Sequence, residues 1–300
     1  MKVLIVGGNG QLGTTLNKCA PSKIGADLVE VFSITRKDLD LCDAKACEEI
    51  VQRIKPDFLI NAAAYTFVDL AETNSNIAFA VNAHAPRAFA EALKHTGGKL
   101  IYFSTDYVFD GKNPEPYKTF DMKKPINIYG KSKAAGEDYL LETLEKSKQC
   151  FIIRTSWLIS EYGNNFLLIM LKLLSEKSQI AVISDQVASP TSAWSLATAC
   201  WALIKRIYNN NKYTTILHWT DSGIASWYDL AQAISEYGKE LGLLVNPANI
   251  TPIKTTEFGS VASRPLYSVL DTSSSLSFLD ENNTYWRNSL KQLLVNTLHS

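Results

Sequence analysis

Short apolar runs alternate with longer amphipathic stretches through the first half of the chain, and this alternation predicts strands separated by helices. The runs of strand length are residues 3–6, 29–34, 58–61, 100–103 and 151–154. Helices are expected to begin near Gln11, Asp43, residues 68–71 and Lys131. Strands separated by helices of this length are joined by right-handed crossovers and lie parallel in one sheet. The first three runs are mainly apolar, and we expect these three strands to be covered on both faces.

The second half of the chain has a less regular pattern. It predicts helices over residues 165–174 and 195–207, strands over residues 180–183 and 215–219, and loops over the polar stretches 209–212 and 255–263. Ser226 with Asp229 three residues later is close to a capping box, which indicates the start of another helix.

Composition narrows the class of protein. The chain has 300 residues, of which 46% are hydrophobic, and its thirty basic residues balance thirty acidic ones. No overall charge points to nucleic acid, and no apolar run is long enough to span a bilayer. The five cysteines are odd in number and none has CxxC spacing, which disfavours disulfides or a zinc site. The N-terminus has no signal-peptide pattern, so we expect a cytoplasmic protein that binds neither nucleic acid nor membrane.

A glycine-rich turn directly follows the first apolar run. Gly7, Gly10 and Gly13 have the spacing G-x-x-G-x-x-G, with Asn9, Gln11 and Leu12 between them. Glycine lets the backbone turn tightly and approach a pyrophosphate closely, and the next helix offers free N–H groups to the anion. A strand before the turn and a helix after it favour dinucleotide binding over a purely structural turn.

These patterns predict an α/β fold with two parts. Residues 1–155 are expected to form a Rossmann-type, doubly wound parallel sheet that binds NAD(P). Residues 156–300 are expected to form a smaller C-terminal α/β region that binds mainly the substrate, with some segments returning to the main sheet. Ligands bind such sheets beyond the carboxyl ends of the strands.

The residues after the second strand bear on the choice of cofactor. An acidic residue there would bind a ribose hydroxyl and favour NAD, whereas this chain has Arg36 and Lys37. These cations are either partners for the 2′-phosphate of NADP or solvated loop charges. We therefore predict NADPH, with NADH as the alternative, and expect Asp40 and Leu41 to flank the adenine. The small residues Ala62, Ala63 and Ala64 follow the third strand and allow close approach of the cofactor.

A second group of residues has the chemistry of proton transfer. Tyrosine has an ordinary pKa of ~10 and is a poor acid at neutral pH. Lys133 lies four residues after Tyr129, on the same helix face, and its charge is expected to lower the pKa of the phenol. Thr105, at the end of a predicted strand, could donate a hydrogen bond to a substrate oxygen. Together with the glycine turn, this group points to hydride transfer at an oxygen-bearing carbon rather than to an exposed Tyr–Lys pair.

These motifs resemble the extended short-chain dehydrogenase/reductases, and within them the dTDP-4-dehydrorhamnose reductases. The more specific strings are Ser104-Thr105-Asp106-Tyr107-Val108-Phe109-Asp110-Gly111 and the Arg-Pro…Ser-x-Leu-Asp segment from Arg264 to Asp271. The resemblance implies NAD(P)H-dependent reduction of the 4-keto group of a dTDP-linked 6-deoxy sugar, dTDP-4-dehydro-L-rhamnose, to dTDP-L-rhamnose.

The resemblance also implies a role for each matching residue. Tyr129 is the proton donor, Lys133 its partner and the ribose anchor, and Thr105 polarises the keto oxygen. The expected lining of the sugar site is Val68, Thr105, Asp106, Tyr107 and Trp157. The expected lining of the cofactor cleft includes Tyr129 and Lys133 together with Ala64, Tyr65 and Thr66.

One departure from the family concerns a metal. Some members are described with magnesium bound by glutamates at a dimer contact, one of them in the first helix. Thr15 stands where that acid would be sought. We therefore predict no metal, and a homodimer remains possible.

Other functions stay open. Dehydratases of this architecture have a glutamate after Thr-Asp, where this chain has Tyr107, so dehydration is disfavoured. An epimerase or another nucleotide-sugar reductase would use the same groups. A non-catalytic alternative is the reductase-like regulatory subunit of methionine adenosyltransferase, which resembles the same family.

Overall fold

The computed structural model describes residues 1–210 and 213–298. Its strands, named in chain order, are β1 (Lys2–Val6), β2 (Lys23–Ile24), β3 (Asp27–Leu28), β4 (Glu30–Ile34), β5 (Phe58–Asn61), β6 (Lys99–Thr105), β7 (Cys150–Thr155), β8 (Leu158–Ile159), β9 (Gln179–Ile183), β10 (Val187–Ala188), β11 (Thr191–Ser192), β12 (Ile216–His218), β13 (Ala225–Ser226) and β14 (Asn249–Ile253).

The helices are named in the same way. They are α1 (Gln11–Lys18), α2 (Ala44–Ile54), α3 (Val68–Thr73), α4 (Ser75–Phe79), α5 (Ala85–Thr96), α6 (Ile128–Leu144), α7 (Phe166–Glu176), α8 (Ala193–Asn210), α9 (Trp227–Glu240), α10 (Thr255–Phe258), α11 (Ser273–Leu279) and α12 (Trp286–Thr297). A π-helical turn over Ala80–His84 joins α4 to α5, and a 3₁₀ turn over Asp106–Val108 follows β6.

Within the described residues, six parallel strands form the main sheet in the order β12-β7-β6-β5-β1-β4. The chain runs from β1 to β4 on one side and then returns to β5 on the other. The order therefore reverses between β1 and β5, which is where doubly wound sheets bind their ligands. The glycine turn follows β1 at this point, so the predicted α/β Rossmann-like sheet is confirmed.

Alternate side chains of the sheet enter two separate cores. Val3 and Ile5 of β1 pack with residues of α1 and α8, whereas Leu4 and Val6 pack with residues of α2, α5 and α6. Burial at ~25 cal/mol per Å² of apolar surface makes these two layers the main source of stability. A third core joins α7, α9 and α12 in the C-terminal part.

One expectation about the sheet is wrong. The run 29–34 was expected to be covered on both faces, but β4 lies at the edge of the sheet and none of its residues is fully buried. The run contains Glu30 and Ser33, which are the two exposed residues of β4. These polar residues were the signal that this strand, unlike β1 and β5, is not covered on both faces.

The predicted elements of the C-terminal part are present with shifted ends. Asn165 caps α7 through its side chain, and Ser226 with Asp229 forms the predicted capping box of α9. The predicted strand at 215–219 is β12, which extends the main sheet. Helix α8 continues through Asn210, so the prediction of a loop over 209–212 is wrong for its first two residues. Residues 211–212 lie outside the described residues. The loop expected over 255–263 contains the short helix α10.

The described part of the chain contains no helix that is both long enough and apolar enough to cross a membrane.

Candidate active site

The glycine turn is a close-packed cradle between β1 and α1. Gly7 has φ +84°, and a Cβ atom there would lie 2.9 Å from the backbone of Ala63. A Cβ on Gly13 would lie 2.1 Å from the Gly7 carbonyl oxygen. Only glycine fits both positions without moving the backbone. Gly10 precedes α1 and caps it with no side chain, so the first N–H groups of the helix are left for an anion.

Two buried polar atoms beside this cradle have no partner among the described residues. They are the side-chain oxygen of Gln11 and the side-chain nitrogen Nδ2 of Asn61, at the end of β5. Buried polar groups are rarely left without a hydrogen bond in a native protein. The turn and these two atoms together fit a polar ligand such as a dinucleotide. Of the other predicted contacts, Asn9 is exposed and Leu12 is buried in the core beneath the turn.

The segment after β5 is held in place by a buried asparagine. The side chain of Asn82, in the π-helical turn, bonds both backbone groups of Tyr65, at 2.9 and 3.0 Å. Its Nδ2 also donates to Ser132 Oγ of α6 at 3.0 Å. Ala64 and Tyr65 are thereby fixed relative to α6 at half-buried positions, while Thr66 is exposed.

Arg36 and Lys37 lie in the turn after β4. Thr35 and Asp38 close this turn, since the Thr35 N–H and hydroxyl both donate to Asp38 Oδ2 at 2.8 Å. Both cations are exposed, and among the described residues neither forms a salt bridge. Asp40 is exposed as well, and its side chain accepts a hydrogen bond from the Cys42 N–H. Leu41 packs at the margin of the α2 core, so its side chain does not project freely.

Thr105, Tyr129 and Lys133 lie at the carboxyl end of β6 and on the facing first turns of α6. Lys133 is buried, and its Nζ donates to the Phe103 carbonyl oxygen at 2.8 Å. Tyr129 is half-buried, and hydrogen bonding with Thr105 opposes the rise in the pKa of its phenol. The rings of Tyr129 and Tyr107 meet edge to face with 5.9 Å between their centroids. The structure thus brings the three predicted catalytic residues together.

The N-terminus of α6 is fixed from three sides. Asn127 caps it, with its Oδ1 accepting from the Gly130 N–H at 2.7 Å, and Glu72 of α3 accepts from the Ile128 N–H at 2.8 Å. A Cβ on Gly130 would lie 2.2 Å from the Tyr107 carbonyl oxygen, so glycine allows the helix to approach the 3₁₀ turn. The helix begins three residues before the predicted start because Asn127 supplies the cap.

The expected lowering of the Tyr129 pKa is wrong for this structure. Burial raises the pKa of Tyr129 well above its ordinary value, and the nearby Asp106 raises it further. Burial also lowers the pKa of Lys133 to about 7. The helix spacing predicted the shared face correctly, but spacing carries no information about the loss of water around both groups.

Asp106 follows Thr105 and is 2% exposed. Its Oδ1 accepts from the Thr105 hydroxyl at 3.0 Å, and its Oδ2 accepts from the Ser268 hydroxyl at 2.5 Å. Burial raises the pKa of Asp106 to about 7, against these hydrogen bonds. Tyr107 is also buried, and Val68 is half-buried at the start of α3.

The family model that matches the chain is described as the RmlD substrate binding domain, and the match covers residues 1–299. The dTDP-4-dehydrorhamnose reductase of Aggregatibacter actinomycetemcomitans is 35% identical over 294 residues, 97% of this chain and 98% of that protein. The chain belongs to the dTDP-4-dehydrorhamnose reductase family.

Two further relatives agree with this membership. The spore coat polysaccharide biosynthesis protein SpsK of Bacillus subtilis (strain 168) is 37% identical, over 98% of this chain and 96% of that protein. The crystal structure of dTDP-4-dehydrorhamnose reductase from Bacillus anthracis str. Ames in complex with NADP is 35% identical. It superposes with a TM-score of 0.86 over 99% of each chain.

For this family member, the sequence did not reveal how the C-terminal part reaches the site. Residues 262–268, here named the strap, cross the carboxyl end of β6. Arg264 binds Asp69 of α3 with two hydrogen bonds, at 3.1 and 2.6 Å, and the Ser263 carbonyl accepts from Asn127 Nδ2 at 2.8 Å. A Cβ on Gly111 would lie 2.6 Å from Pro265. The Arg-Pro motif marked this segment, but nothing in its spacing indicated these partners.

A buried ion pair behind Lys133 also went unpredicted. Arg154 of β7 binds Glu137 of α6 with two hydrogen bonds, at 2.9 and 2.7 Å, and Lys123 lies 3.2 Å from the same carboxylate. Glu137 lies one turn beyond Lys133 and raises the pKa of that lysine against burial. The spacing Tyr-x-x-x-Lys-x-x-x-Glu would have placed all three side chains on one helix stripe.

Trp157 is less open than expected. Its ring stacks on Trp227 with 3.6 Å between centroids, so one face of the indole is covered. Its backbone has φ +44°, in the left-handed region that residues other than glycine rarely adopt. A strained residue held by its surroundings marks a candidate functional position, and the role of Trp157 at the sugar stays a prediction.

Thr15 lies within α1 and is fully buried, with its hydroxyl bonded to the Gln11 carbonyl at 2.9 Å. Its side chain therefore faces the protein interior. Across residues 1–210 and 213–298, no three side chains of histidine, cysteine or acid type are grouped to hold a metal ion.

Proposed function

We propose that this protein reduces the 4-keto group of dTDP-4-dehydro-L-rhamnose with NADPH and releases dTDP-L-rhamnose. The observation that carries the proposal is the meeting of Thr105, Tyr129 and Lys133 at one strand end in a member of this reductase family. NADH is the alternative cofactor, and Arg36 is the residue that favours NADPH.

The residues present fit the cofactor. Gly7 and Gly13 form a cradle that any Cβ would fill, and the side chains of Gln11 and Asn61 each hold a buried polar atom that has no partner in residues 1–210 and 213–298. Arg36 is exposed and forms no salt bridge with the part of the chain that the structure describes, so it can pair with a 2′-phosphate. Bound NADPH supplies the hydride for the reduction. Lys133, fixed at the Phe103 carbonyl, is the residue we assign to the nicotinamide ribose.

The raised pKa of Tyr129 suits a proton donor. A phenol whose pKa lies above its ordinary value stays protonated at neutral pH. It gives up its proton only to a more basic oxygen, such as the alkoxide that forms when a ketone is reduced. Thr105 is placed beside it to donate a hydrogen bond to the same oxygen as negative charge develops there.

Competing functions fit this geometry less well. At the position where a dehydratase has glutamate, the Tyr107 phenol is buried and its pKa is raised, so it does not serve as a base at neutral pH. A regulatory subunit has no need of an assembled Thr105, Tyr129 and Lys133 group. Co-purification with a synthetase and no turnover of nucleotide sugars would favour that reading.

Five free cysteines, three of them buried, fit a reducing compartment, and we place the reaction in the cytoplasm. A homodimer is still a prediction, and light scattering of the purified protein tests it.

The test of the proposed function is NADPH oxidation by the purified protein with enzymatically generated keto sugar, repeated with NADH. We expect rapid oxidation, formation of dTDP-L-rhamnose and a lower Michaelis constant for NADPH. The proposal would be overturned by folded protein that binds NADPH but fails to oxidise it when any dTDP-linked keto sugar is supplied.

A further inference from the structure

Asp106 is not placed as an open contact for a sugar hydroxyl. Each of its two carboxyl oxygens is held by one protein hydroxyl, Oδ1 by Thr105 and Oδ2 by Ser268 of the strap. The side chain is buried at the end of β6, beneath both of these residues. Its hydrogen-bonded partner in the proton-transfer group is Thr105. The charge of Asp106 also raises the pKa of Tyr129, but no direct contact with the substrate is left open to it.

The bond to Asp106 competes with the role proposed for Thr105. A threonine has one hydroxyl proton and two acceptor positions. When Asp106 is ionised, that proton is directed at its Oδ1 and does not reach the substrate. One acceptor position is already used, since the Tyr107 N–H donates to Thr105 Oγ1 at 3.2 Å. The Tyr129 phenol also hydrogen bonds with Thr105 in this structure. When that phenol turns to the keto oxygen, a protonated Asp106 can donate to the second position, and the threonine proton is then free for the same keto oxygen.

The surroundings make both forms of Asp106 accessible near neutral pH. Burial raises its pKa to about 7, while the bonds from Ser268 and Thr105 lower it. The titratable groups that face it are Tyr107 on its own turn and Tyr129 from α6, both neutral phenols at this pH. Arg264 of the strap is directed at Asp69 and Tyr107.

We propose that Asp106 is a positioning residue whose protonation decides whether the Thr105 hydroxyl donates to the substrate's keto oxygen. The inference rests on the proposed function, because it assigns a carbonyl oxygen to this place. In the reactive form, Asp106 donates to Thr105 Oγ1 and Thr105 donates to the substrate. In the unreactive form, Asp106 is a carboxylate that accepts the hydrogen bond of the Thr105 hydroxyl, so this hydroxyl does not donate to the substrate. No proton is transferred between them in either form.

The first test compares Asp106→Asn with the wild type from about pH 6 to about pH 8. An asparagine amide can donate to Thr105 Oγ1 and accept from Ser268, so it imitates the neutral acid. We expect the ratio of kcat/KM, variant over wild type, to rise about tenfold across this range, the value of one hydrogen bond. Titration of Lys133 affects both proteins and cancels in the ratio. A constant ratio would overturn the inference.

Two further variants sharpen this comparison. Ser268→Ala removes a hydrogen bond that favours the carboxylate form of Asp106. The fall in kcat/KM with rising pH should therefore have its midpoint at a higher pH in this variant than in the wild type. An equal or lower midpoint would contradict the inference. Asp110→Asn is the matched control, because the pKa of Asp110 is already below its usual range and the residue stays ionised throughout. Its ratio to wild type should not depend on pH.

A measurement without turnover separates this inference from the proposed function. The carboxyl carbons of aspartate are labelled with carbon-13 and followed by NMR as the pH changes. The signal of Asp106 is identified as the one that is missing from the spectrum of Asp106→Asn, and its titration is then followed alone. A midpoint near pH 7 supports the inference, and one at the ordinary value of ~4 overturns it. Absence of keto-sugar reduction by the wild type would refute the proposed function, whatever this midpoint is.

Discussion

Residues 1–155 and residues 156–298 contribute to the candidate site in different ways. The first part supplies the glycine turn, the strand ends and the start of α6, each placed by the regular alternation of strand and helix. The second part reaches the same place through the strap, whose contacts join Asn127 to Ser263, Asp106 to Ser268 and Asp69 to Arg264. These pairs are 136, 162 and 195 residues apart in the chain. We propose from this comparison that the first part carries the chemistry and the second closes the site around the substrate.

The largest effect should come from the chemical group of the first part. Tyr129→Phe removes the donated proton and should lower kcat by about two to four orders of magnitude, with NADPH binding largely kept. Steady-state kinetics and a fluorescence titration with NADPH measure the two quantities. Tyr139→Phe, on the same helix beside His84 and Arg87, is the control and should act as wild type. Near-normal turnover of the Tyr129 variant would contradict the assignment of proton transfer to this residue and to the first part.

The cradle of the first part should be the next most sensitive feature. Gly13→Ala places a Cβ against the Gly7 carbonyl, so the turn must move, and NADPH binding should weaken by about 10- to 100-fold. Gly97→Ala is the matched control. Gly97 has φ +82° with open space around it, so alanine should cost about 1 kcal/mol of stability without changing affinity. Equal effects of both variants on NADPH affinity would contradict the cradle.

The strap should affect the sugar rather than the cofactor. Arg264→Lys cannot make both bonds to Asp69, and we expect the KM for the keto sugar to rise about tenfold while the Kd for NADPH stays the same. Arg287→Lys, in an exposed pair with Glu236 of α9, is the control and should change neither constant. A weakened NADPH affinity in the Arg264 variant would show that the two parts do not divide the ligands in this way.

The smallest effect should be at the exposed cation that bears on cofactor choice. Arg36→Gln should raise the KM for NADPH about fivefold and leave that for NADH unchanged, since an exposed charge pair is worth ~1 kcal/mol or less. Arg53→Gln, an exposed residue in the last turn of α2, should alter neither value. An equal change for both cofactors in the Arg36 variant would assign the NADPH preference to another residue.

The same division explains what the sequence could predict. Residues 3–6 and 58–61 were recognised as strands because a buried parallel strand is continuously apolar. The glycine turn was recognised because its spacing follows from local backbone geometry. These signals are local, so a single sequence carries them, as it does the capping box at Ser226.

Contacts between distant segments leave no such signal. Nothing in the pattern around Arg264 or Ser268 identifies Asp69 or Asp106 as a partner, and the edge position of β4 depends on the whole sheet. The pKa of Tyr129 was predicted in the wrong direction because burial, which spacing does not reveal, raises it. The Glu137–Arg154 pair is an intermediate case. The sequence spacing could have predicted that Glu137 shares a helix face with Tyr129 and Lys133, but it could not have predicted that Arg154 of β7 is its partner.

The most direct test of the central claim is to follow one atom. The wild-type protein is given the dTDP-linked 4-keto sugar and NADPH with deuterium at the transferred position, and the product is analysed by mass spectrometry and NMR. The account predicts dTDP-L-rhamnose with one deuterium on carbon 4 of the sugar, formed in step with NADPH consumption. A sugar altered without deuterium at that carbon, or without consumption of NADPH, would contradict it.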